Sequence, residues 1–332
     1  MLRFNKDIEI NRFYDPTQDE EQEVKVEIRS DPLTGKTSRI LDKPLPIPSD
    51  PDMSDVEEYD FCPFCPENID EVGARDIEVL SRERLEKDEA VLLSNVTPYS
   101  KHSLVIRLTE DHFLELDEFD SKHFADAFEL AKRYLSRMEN HDRKDVPTIL
   151  MNYLKPAGSS IVHPHLQLLV SKKKMDYQRR MLEEGSEYYD AEGKSYWEDL
   201  IREERDGERY IGKTGSWDWL SAHAPRGFEH VKGINLKDFM DLNGEDIKDL
   251  SSCIVKVLKA YHDMDYNSFN LSVFIPPLGS DKDRFATVID MVTRSNLDRF
   301  YWSDVFAMPK LMDEPYSNKK PEEVAKSVRK SF

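Results

Sequence analysis

The fold is decided by the stretch from Asn152 to Val170, which reads NYLKPAGSSIVHPHLQLLV. It joins two strand-like runs, Thr148–Leu154 and His165–Ser171, and the Pro-Ala-Gly-Ser-Ser segment between them is typical of a loop. Short strands joined by turns favour antiparallel pairing, because a parallel pair needs a long crossover connection. We therefore predict an α+β fold, with an antiparallel sheet and packed helices.

The second of these strands begins with a His-Pro-His-Leu-Gln motif. Side chains alternate between the two faces of an extended strand, so His163, His165 and Gln167 are predicted to share one face. A histidine that stays neutral near pH 7 attacks a phosphoryl group through its free ring nitrogen and forms a phosphoramidate. The motif therefore predicts phosphoryl-transfer chemistry. The alternative is a half-buried strand whose histidines happen to alternate.

The loop that leads into this strand offers further hydrogen-bond donors. Gly158, Ser159 and Ser160 present backbone N–H groups and hydroxyls just before the histidines. Donors arranged in this way hold a diphosphate well. The loop and the strand are therefore predicted to form one phosphate-binding site.

A second motif, Cys62-Pro-Phe-Cys65, has the spacing with which two thiolates bind one zinc ion. Two cysteines supply half of a tetrahedral site, and His112 and His163 are the candidates that complete it. His102 is a competing ligand that spacing alone does not exclude. Four protein ligands would close the coordination shell, so the ion would be structural. The alternatives are a thioredoxin-like redox pair or a surface pair without a function.

The order strand, helix, strand, strand occurs in both halves of the chain, which indicates an internal duplication. The first helix starts after Asp120, and the second covers about Glu245–Met264 with apolar residues at helical spacing. We predict an N-terminal catalytic half over residues 1–171, a charged connector over 172–215 and a C-terminal half over 216–332.

Composition narrows the possible functions. The chain has 332 residues, and its 66 acidic and 47 basic side chains give a net charge of −19. A surface of this charge repels nucleic acid, so we expect no nucleic-acid partner. No apolar run approaches the roughly 20 residues of a membrane span, and three cysteines leave no disulfide framework to propose. We expect a cytoplasmic protein without a membrane partner.

Together these motifs resemble the galactose-1-phosphate uridylyltransferase family of the histidine-triad superfamily. The matching segments are Asp31-Pro32-Leu33-Thr34-Gly35, Cys62-Pro63-Phe64-Cys65, Asn95, His112, and Asn152 through Gly158-Ser159-Ser160 to His163-Pro164-His165-x-Gln167. Their order and spacing agree with the family through the first half, whereas the second half matches only faintly. The resemblance implies two histidine-triad-like halves, each with an antiparallel sheet and packed helices.

The resemblance also implies a double displacement. His165 attacks the α-phosphorus of a nucleotide sugar such as UDP-glucose, expels the hexose 1-phosphate and holds the nucleotide until a second sugar phosphate collects it. The roles carried over are catalytic for His165, Gln167 and Ser160, nucleotide- or phosphate-binding for Asn95, Asn152, Gly158 and Ser159, and zinc-binding for Cys62, Cys65, His112 and His163. A homodimer is implied too, since members of the family usually pair so that one subunit completes the other's site.

The chain also departs from the family. Paired arginines usually follow the Asp-Pro-Leu-Thr-Gly motif, where this chain offers only Arg39 or Lys43 for the phosphates. Ile289-Asp290-Met291 stands in place of a His-x-His signature, so we expect the family's second metal site to be lost. Two alternatives stay open. One is a phosphorylase, resembling an ADP-glucose phosphorylase, in which inorganic phosphate is the acceptor; the other is a nucleotide-binding protein without turnover.

Overall fold

The structure is a computed structural model that describes residues 2–43, 45, 53, 56, 61–139, 145–280, 282–298 and 302–332. The strands are β1 (Lys6–Asp15), β2 (Glu20–Ser30), β3 (Thr37–Leu41), β4 (Leu85–Lys87), β5 (Ala90–Ser94), β6 (His102–Arg107), β7 (Val146–Tyr153), β8 (His165–Ser171), β9 (Tyr210–Thr214), β10 (Trp217–Ser221), β11 (Phe228–Asn235), β12 (Phe269–Phe274), β13 (Thr287–Thr293) and β14 (Tyr316–Ser317). The α-helices are α1 (Pro66–Val72), α2 (Ser121–Glu139), α3 (Asp176–Glu192), α4 (Tyr196–Glu204), α5 (Gly244–His262), α6 (Ala307–Leu311) and α7 (Pro321–Val328). Within these ranges no helix has both the length and the apolar character that crossing a membrane requires.

Ten strands form one continuous sheet in the order β4-β5-β6-β8-β7-β12-β13-β11-β10-β9. Every neighbouring pair is antiparallel. The five strands of each half follow the same order, and one long helix, α2 or α5, lies between the third and fourth strand of each half. The α+β fold with two related halves is confirmed. The division of the chain at residues 171 and 215 stays a prediction.

The two half-sheets are joined edge to edge by β7 and β12, with Asn152 directly opposite Asn270. Directly opposite residues of an antiparallel pair point to the same face. The junction therefore brings polar side chains of both halves onto one face of the sheet. The sequence predicted a sheet in each half, and the structure extends this to a single sheet through both.

One face of the sheet is covered by α2 and α5, which also pack against each other. Helix α2 follows Asp120, whose carboxylate accepts a hydrogen bond from the Lys122 N–H at 2.7 Å, and α5 begins with a capping box between Asn243 and Asp246. The core on this face includes Phe124, Phe128, Leu135, Ile149, Met151, Leu166, Leu168, Leu250, Ile254, Val257, Leu271 and Ile289. Burying each of these larger side chains contributes about 1.5–3 kcal/mol, so this face holds the sheet and both helices together.

The opposite face is covered at its two ends. At the first-half end lies a small cluster of Cys62, Phe64, Cys65, Ile69, Val91, Leu93 and Val105. At the second-half end, α3 and α4 bury a second cluster that includes Met181 and Trp197. Between the clusters lie the half-buried side chains of Gln167, Asn152 and Asn270. The candidate site is in this polar strip.

The segment predicted as a charged connector also contributes to the core. It forms α3, α4 and the edge strand β9. Trp197 at the start of α4 is 1% exposed and stacks on Phe274 with ring centroids 6.2 Å apart. Gly185 of α3 lies against the same indole, where an added Cβ would come within 3.0 Å of the ring. Aromatic residues placed among the charged ones therefore pack these helices onto the second half of the sheet.

A smaller sheet has the order β1-β2-β3-β14, with β14 parallel to β3. Its β1–β2 hairpin is exposed towards the tip, and the base of the hairpin is held by ion pairs. Arg29, which is 3% exposed, pairs with Glu322 of α7 at 2.8 Å, and Arg209 pairs with the same carboxylate at 3.2 Å. These contacts connect the N-terminal hairpin to the C-terminal helix.

We expect Glu322→Gln to reduce the acid sensitivity of the fold. Burial alone would raise the pKa of Glu322, but hydrogen bonding and the charge of Arg29 lower it to about 2 from 4.5. The ionised carboxylate therefore stabilises the fold above pH 4.5, and this contribution is lost as the pH falls from 4.5 to about 2. Because the side chain is partly exposed, the substitution should cost about 1–3 kcal/mol at pH 7. Urea unfolding between pH 7 and pH 2 measures both effects. Glu323→Gln, at an exposed position of α7, is the control, and an unchanged pH dependence in Glu322→Gln would refute this account.

Candidate active site

The polar strip opens into a cleft of about 250 Å³ beside β5, β6 and β8. Four of the predicted site residues line it: Asn95, Ser160, His165 and Gln167. Its apolar wall includes Phe64, Leu93, Val105 and Ile161. The cleft therefore combines donors suited to phosphate with an apolar surface of the kind that binds a nucleoside ring.

His165 is placed to act as a nucleophile in this cleft. Its Nδ1 donates a hydrogen bond to the backbone carbonyl of His163 at 2.8 Å, because a carbonyl oxygen only accepts. The proton is therefore on Nδ1 and the free lone pair is on Nε2. The ring is 6% exposed and packs edge-on against Phe64, with centroids 5.3 Å apart. Burial lowers the pKa of His165, which favours the neutral ring.

His163 lies just outside strand β8, which begins at His165, and residue 163 is at a bend. Its ring is close to the Sγ atoms of Cys62 and Cys65, which belong to the small cluster on the same side of the sheet as Gln167. Strand alternation therefore applies to His165 and Gln167, whereas the position of His163 is set by the bend before the strand.

Cys62, Cys65, His112 and His163 form one cluster, with all four ligand atoms within 4.8 Å of one another. The Nδ1 atom of His163 is 3.7 Å from the Cys62 Sγ and 3.6 Å from the Cys65 Sγ. The Nδ1 atom of His112 is 3.4 Å from the Cys65 Sγ. A tetrahedral zinc ion with bonds of about 2.3 Å to sulfur and about 2.0–2.1 Å to nitrogen places these atoms roughly 3.6 Å apart. The residues fit a tetrahedral metal ion.

The protonation states of Cys62 and His163 bear on whether the cluster can bind a cation. Burial raises the pKa of the Cys62 thiol to about 11 and lowers that of His163 to about 4. A bound divalent cation would lower the pKa of the Cys62 thiol, because the thiolate is the form that binds the metal. The Nε2 atom of His163 donates to the Thr109 carbonyl at 2.8 Å, which leaves the Nδ1 lone pair for a metal. The competing ligand His102 lies elsewhere, with its Nδ1 3.2 Å from the Tyr134 hydroxyl.

His163 connects this cluster to His165. Its ring faces the cysteines, and its backbone carbonyl holds the ring of His165. Arg107, opposite His165 in the β6–β8 ladder, donates to the Phe64 carbonyl at 3.2 Å and to the Glu89 carbonyl at 2.9 Å. Arg107 thus fixes the segment that carries Cys62 and Cys65 to the sheet. Sequence reasoning missed this residue, whose signal is a charge at the end of the otherwise apolar run LVIR.

The loop between β7 and β8 is shaped by two residues with positive φ, Leu154 at 68° and Gly158 at 89°. Glycine adopts this conformation without strain, which accounts for its place at the turn. Ser160 is exposed and lines the cleft. The Ser159 hydroxyl donates to the Ile161 carbonyl at 2.6 Å, so it stabilises the loop and is not brought into the cleft.

Asn152 lies beside the cleft and faces a neighbouring cavity. The ladder pair Leu150↔Gln167, continued by two residues along each strand, places Asn152 opposite His165 on the same face. Its Oδ1 accepts a hydrogen bond from Asn270 Nδ2 at 2.7 Å. Sequence reasoning missed Asn270, although polar residues alternate with apolar ones in Phe269–Phe274.

Arg39 and Lys43 are not brought into the cleft. Arg39 lies on β3, with its Nε 3.2 Å from Glu314 and its Nη1 3.3 Å from Glu9. Lys43 follows β3 and donates to the Gln22 side chain at 2.6 Å. In this chain both cations therefore contact side chains of the smaller sheet and its surroundings.

Comparison with solved structures identifies the fold of this protein. A galT-like protein from Arabidopsis thaliana matches with a TM-score of 0.71 and 17% identity, over 91% of this chain and 98% of that chain. An ADP-glucose phosphorylase from the same plant, solved with bound ADP-glucose, matches at 0.70 and 17%, over 92% and 98% of the two chains. A mutant uridylyltransferase matches at 0.69 and 15%, over 92% and 97%. The chain has the galactose-1-phosphate uridylyltransferase fold, and the resemblance predicted from the motifs is confirmed.

Sequence comparison adds a relative. A protein from Archaeoglobus fulgidus, described only as uncharacterized, is 41% identical over 332 residues, which cover 99% of this chain and 98% of that protein. No family model matches the chain. The chain belongs to one family with the Archaeoglobus protein, and its fold is that of the galactose-1-phosphate uridylyltransferases.

Proposed function

We propose that this protein is a nucleotidyltransferase that works through a covalent nucleotidyl-histidine at His165. The observation that carries the proposal is the hydrogen bond from His165 Nδ1 to the His163 carbonyl, which leaves the Nε2 lone pair on a ring that lines the cleft. The proposed donor is a nucleotide sugar, the acceptor is a hexose 1-phosphate and the transferred group is UMP. The fold shared with a uridylyltransferase supports this choice.

In the first half-reaction, Nε2 of His165 attacks the α-phosphorus of the nucleotide sugar. A P–N bond forms, the P–O bond to the hexose 1-phosphate breaks, and the bonding electrons leave with that oxygen. The proton on Nδ1 stays in its hydrogen bond to the His163 carbonyl, which offsets the positive charge that the ring gains. Gln167 and Ser160 line the same cleft and donate to the nonbridging oxygens as negative charge builds.

The nucleoside would lie along the apolar wall of the cleft. Phe64 contributes an aromatic ring there, and Asn95 lines the same cleft. The Asn95 Oδ1 accepts a hydrogen bond from the Thr97 N–H at 2.9 Å, so its amide N–H groups are the ones directed to a ligand. This pairing fits the nucleotide-binding role that the resemblance implies for Asn95.

In the second half-reaction, a phosphate oxygen of the acceptor attacks the same phosphorus. A new P–O bond forms, and the electron pair of the P–N bond returns to Nε2. His165 regains its starting tautomer, because the Nδ1 proton never leaves the ring. The acceptor and the earlier leaving group approach from the same side of the phosphorus, so they use the same subsite.

We infer that the Cys₂His₂ cluster holds zinc. Two thiolates and two imidazoles at tetrahedral distances are the ligands of a structural zinc site. When bound, the ion supplies no reacting group, since four protein ligands close its shell. The bound ion would fix the backbone of His163, whose carbonyl orients the ring of His165.

A phosphorylase is the second candidate, and the fold shared with an ADP-glucose phosphorylase favours it. Inorganic phosphate would then replace the hexose 1-phosphate as acceptor, and AMP would replace UMP. The first half-reaction is the same in both cases. A nucleotide-binding protein without turnover would keep the cleft but would never form the P–N bond.

Incubation with UDP-glucose or ADP-glucose, each radiolabelled in the α-phosphate, separates these candidates. The proposal expects acid-labile, base-stable label on the protein from UDP-glucose, released by a hexose 1-phosphate. Label from ADP-glucose alone, released by inorganic phosphate, would identify the phosphorylase instead. Absence of label from every nucleotide sugar tested would refute the covalent mechanism.

We also propose that the protein is a cytoplasmic homodimer. The β1–β2 hairpin exposes Ile8, Ile10 and Tyr14 at 54%, 51% and 56%. An exposed ribbon with this apolar character is suited to pairing with another chain, and a second copy is the partner that the resemblance implies. The cytoplasm is a reducing compartment, which keeps the thiols of Cys62 and Cys65 available to a metal.

Ile10→Asp should convert the dimer to a monomer, because it places a charge in the centre of the apolar ribbon. Size-exclusion chromatography with light scattering measures the mass, which should fall by half. Ile77→Asp is the matched control, since Ile77 is 68% exposed and lies outside the hairpin. A monomeric natural protein, or a dimer that survives Ile10→Asp, would contradict the proposed interface.

A further inference from the structure

A second cavity, of about 280 Å³, adjoins the cleft on the second-half side of His165. It lies over β7, β12 and β13 and is bordered by Tyr177 of α3 and by Arg226. Asn152 connects the cavity to the cleft. Strands β7 and β8 are neighbours, about 4.8 Å apart, and the side chains of Asn152 on β7 and His165 on β8 are on the same face. The Asn152 side of the cavity is therefore next to His165.

Arg226 contributes a guanidinium to the lining of this cavity. Its Nη1 is buried and has no hydrogen-bond partner among the described residues. The guanidinium stacks on the Tyr177 ring, 3.9 Å from the ring centroid, which holds it in one orientation. A buried donor left without an acceptor is unfavourable, so this guanidinium is suited to a ligand that accepts from it.

The carboxylate of Asp290 lines the same cavity, but its charge is already balanced. It accepts hydrogen bonds from His230 Nε2 at 2.9 Å and from Lys232 Nζ at 2.5 Å. Burial would raise the pKa of Asp290, but the charge of Lys232 and the hydrogen bond from His230 hold it well below its usual range. His230 is neutral, because its Nδ1 accepts a hydrogen bond from the backbone N–H of Arg226 at 3.1 Å. The charges of Asp290 and Lys232 therefore offset each other.

Two more cations lie near Arg226. Burial and the charges of Arg226 and Arg180 lower the pKa of Lys36, whereas the charge of Asp176 raises it, so both cations and a carboxylate lie near this lysine. Lys36 also pairs with Asp313, and Arg180 is exposed on α3.

Neutral donors complete the cavity. The Asn152 Oδ1 is occupied by Asn270, so its amide N–H groups are the part that a ligand can use, and the Ser272 hydroxyl lines the same cavity. A guanidinium with amide and hydroxyl donors is a combination that binds phosphate. We propose that this cavity binds the phosphoryl group of the acceptor, either inorganic phosphate or a sugar phosphate. Its catalytic role rests on the proposed function, whereas the anion binding does not.

In that role, an oxygen of the phosphoryl group bound in the cavity attacks the phosphorus carried by His165. The new P–O bond replaces the P–N bond, whose electrons return to Nε2. Inorganic phosphate yields a nucleoside diphosphate, and a hexose 1-phosphate yields a nucleotide sugar. Neither outcome needs an oxidant or a further reactant.

Equilibrium dialysis of the full chain with radiolabelled inorganic phosphate and, separately, with radiolabelled glucose 1-phosphate tests the site. Arg226→Gln should weaken binding roughly 10- to 100-fold, because it removes charged hydrogen bonds. Arg137→Gln makes the same charge change on α2, where the guanidinium pairs with Glu83 at 2.7 Å, and should bind as the natural protein does. Ser272→Ala should weaken binding less, and it decides the question if Arg226→Gln does not fold. Tighter binding of one compound identifies it as the source of the phosphoryl group.

No saturable binding of either compound, or equal affinity in all the variants, would overturn the inference. The two proposals fail in different ways. Phosphate binding that depends on Arg226, in a protein that is never labelled at His165, would keep this site and refute the proposed function. Labelling at His165 with phosphate binding that is independent of Arg226 would do the reverse.

Discussion

His165→Asn should form no covalent intermediate and should lose transfer activity by roughly 10⁴-fold or more, the scale seen when a catalytic nucleophile is removed. Asparagine keeps a polar side chain of related shape but has no basic ring nitrogen to attack phosphorus. The substituted site would retain Gln167 and Ser160, so it should still bind the nucleotide sugar. Radiolabel transfer measures the first effect, and equilibrium dialysis measures the second.

The control for this substitution is His262→Asn, at a half-exposed position near the end of α5. It should label and turn over as the natural protein does. Label retained in His165→Asn would show that another residue carries the nucleotide. If His165→Asn lost nucleotide-sugar binding together with activity, His165 would be needed for binding. The loss of activity would then not support the covalent mechanism.

Cys62→Ser should abolish stoichiometric metal binding and destabilise the fold by at least about 3 kcal/mol, because binding at a structural zinc site is coupled directly to folding. The loss should also slow labelling of His165, since the His163 carbonyl that orients the nucleophile is no longer fixed. Metal analysis of the purified chain and urea unfolding measure the first two effects. Treatment with a chelator should reproduce both in the natural protein.

Cys253→Ser is the matched control, because Cys253 is also buried but lies on α5, away from the cluster. This variant should keep the metal, at one zinc per chain, even if the loss of the buried thiol weakens the core. A zinc-free natural protein with full activity and stability would contradict the structural role of the cluster.

The elements that local sequence patterns encode were predicted closely. The run His165–Ser171 is β8, and the apolar residues at helical spacing from about Glu245 mark α5. Strand β11 was not predicted, because FEHVKGIN is buried along its whole length and has no polar-apolar alternation. Lys232 is stabilised there by its ion pair with Asp290, which is far away in sequence. The pairing of β7 with β12 is likewise a long-range contact that no local pattern indicates.

The site was predictable where chemistry demands a fixed motif. The cysteine pair and His163 are about one hundred residues apart, and their residue types and spacing indicated a shared metal. Arg107 was not predictable, because it acts through backbone carbonyls that any sequence can supply. Arg226 was not predictable either, since its importance comes from the missing partner of its buried Nη1, which only the packed structure reveals.

The most direct test of the central claim is the intact mass of the protein after incubation with UDP-glucose and no acceptor, followed by peptide mapping. We predict a gain of one uridine monophosphate per chain, carried by the peptide that contains His165 and removed by adding a hexose 1-phosphate. An unchanged mass with every nucleotide sugar, or a nucleotide attached to any residue other than His165, would contradict the account.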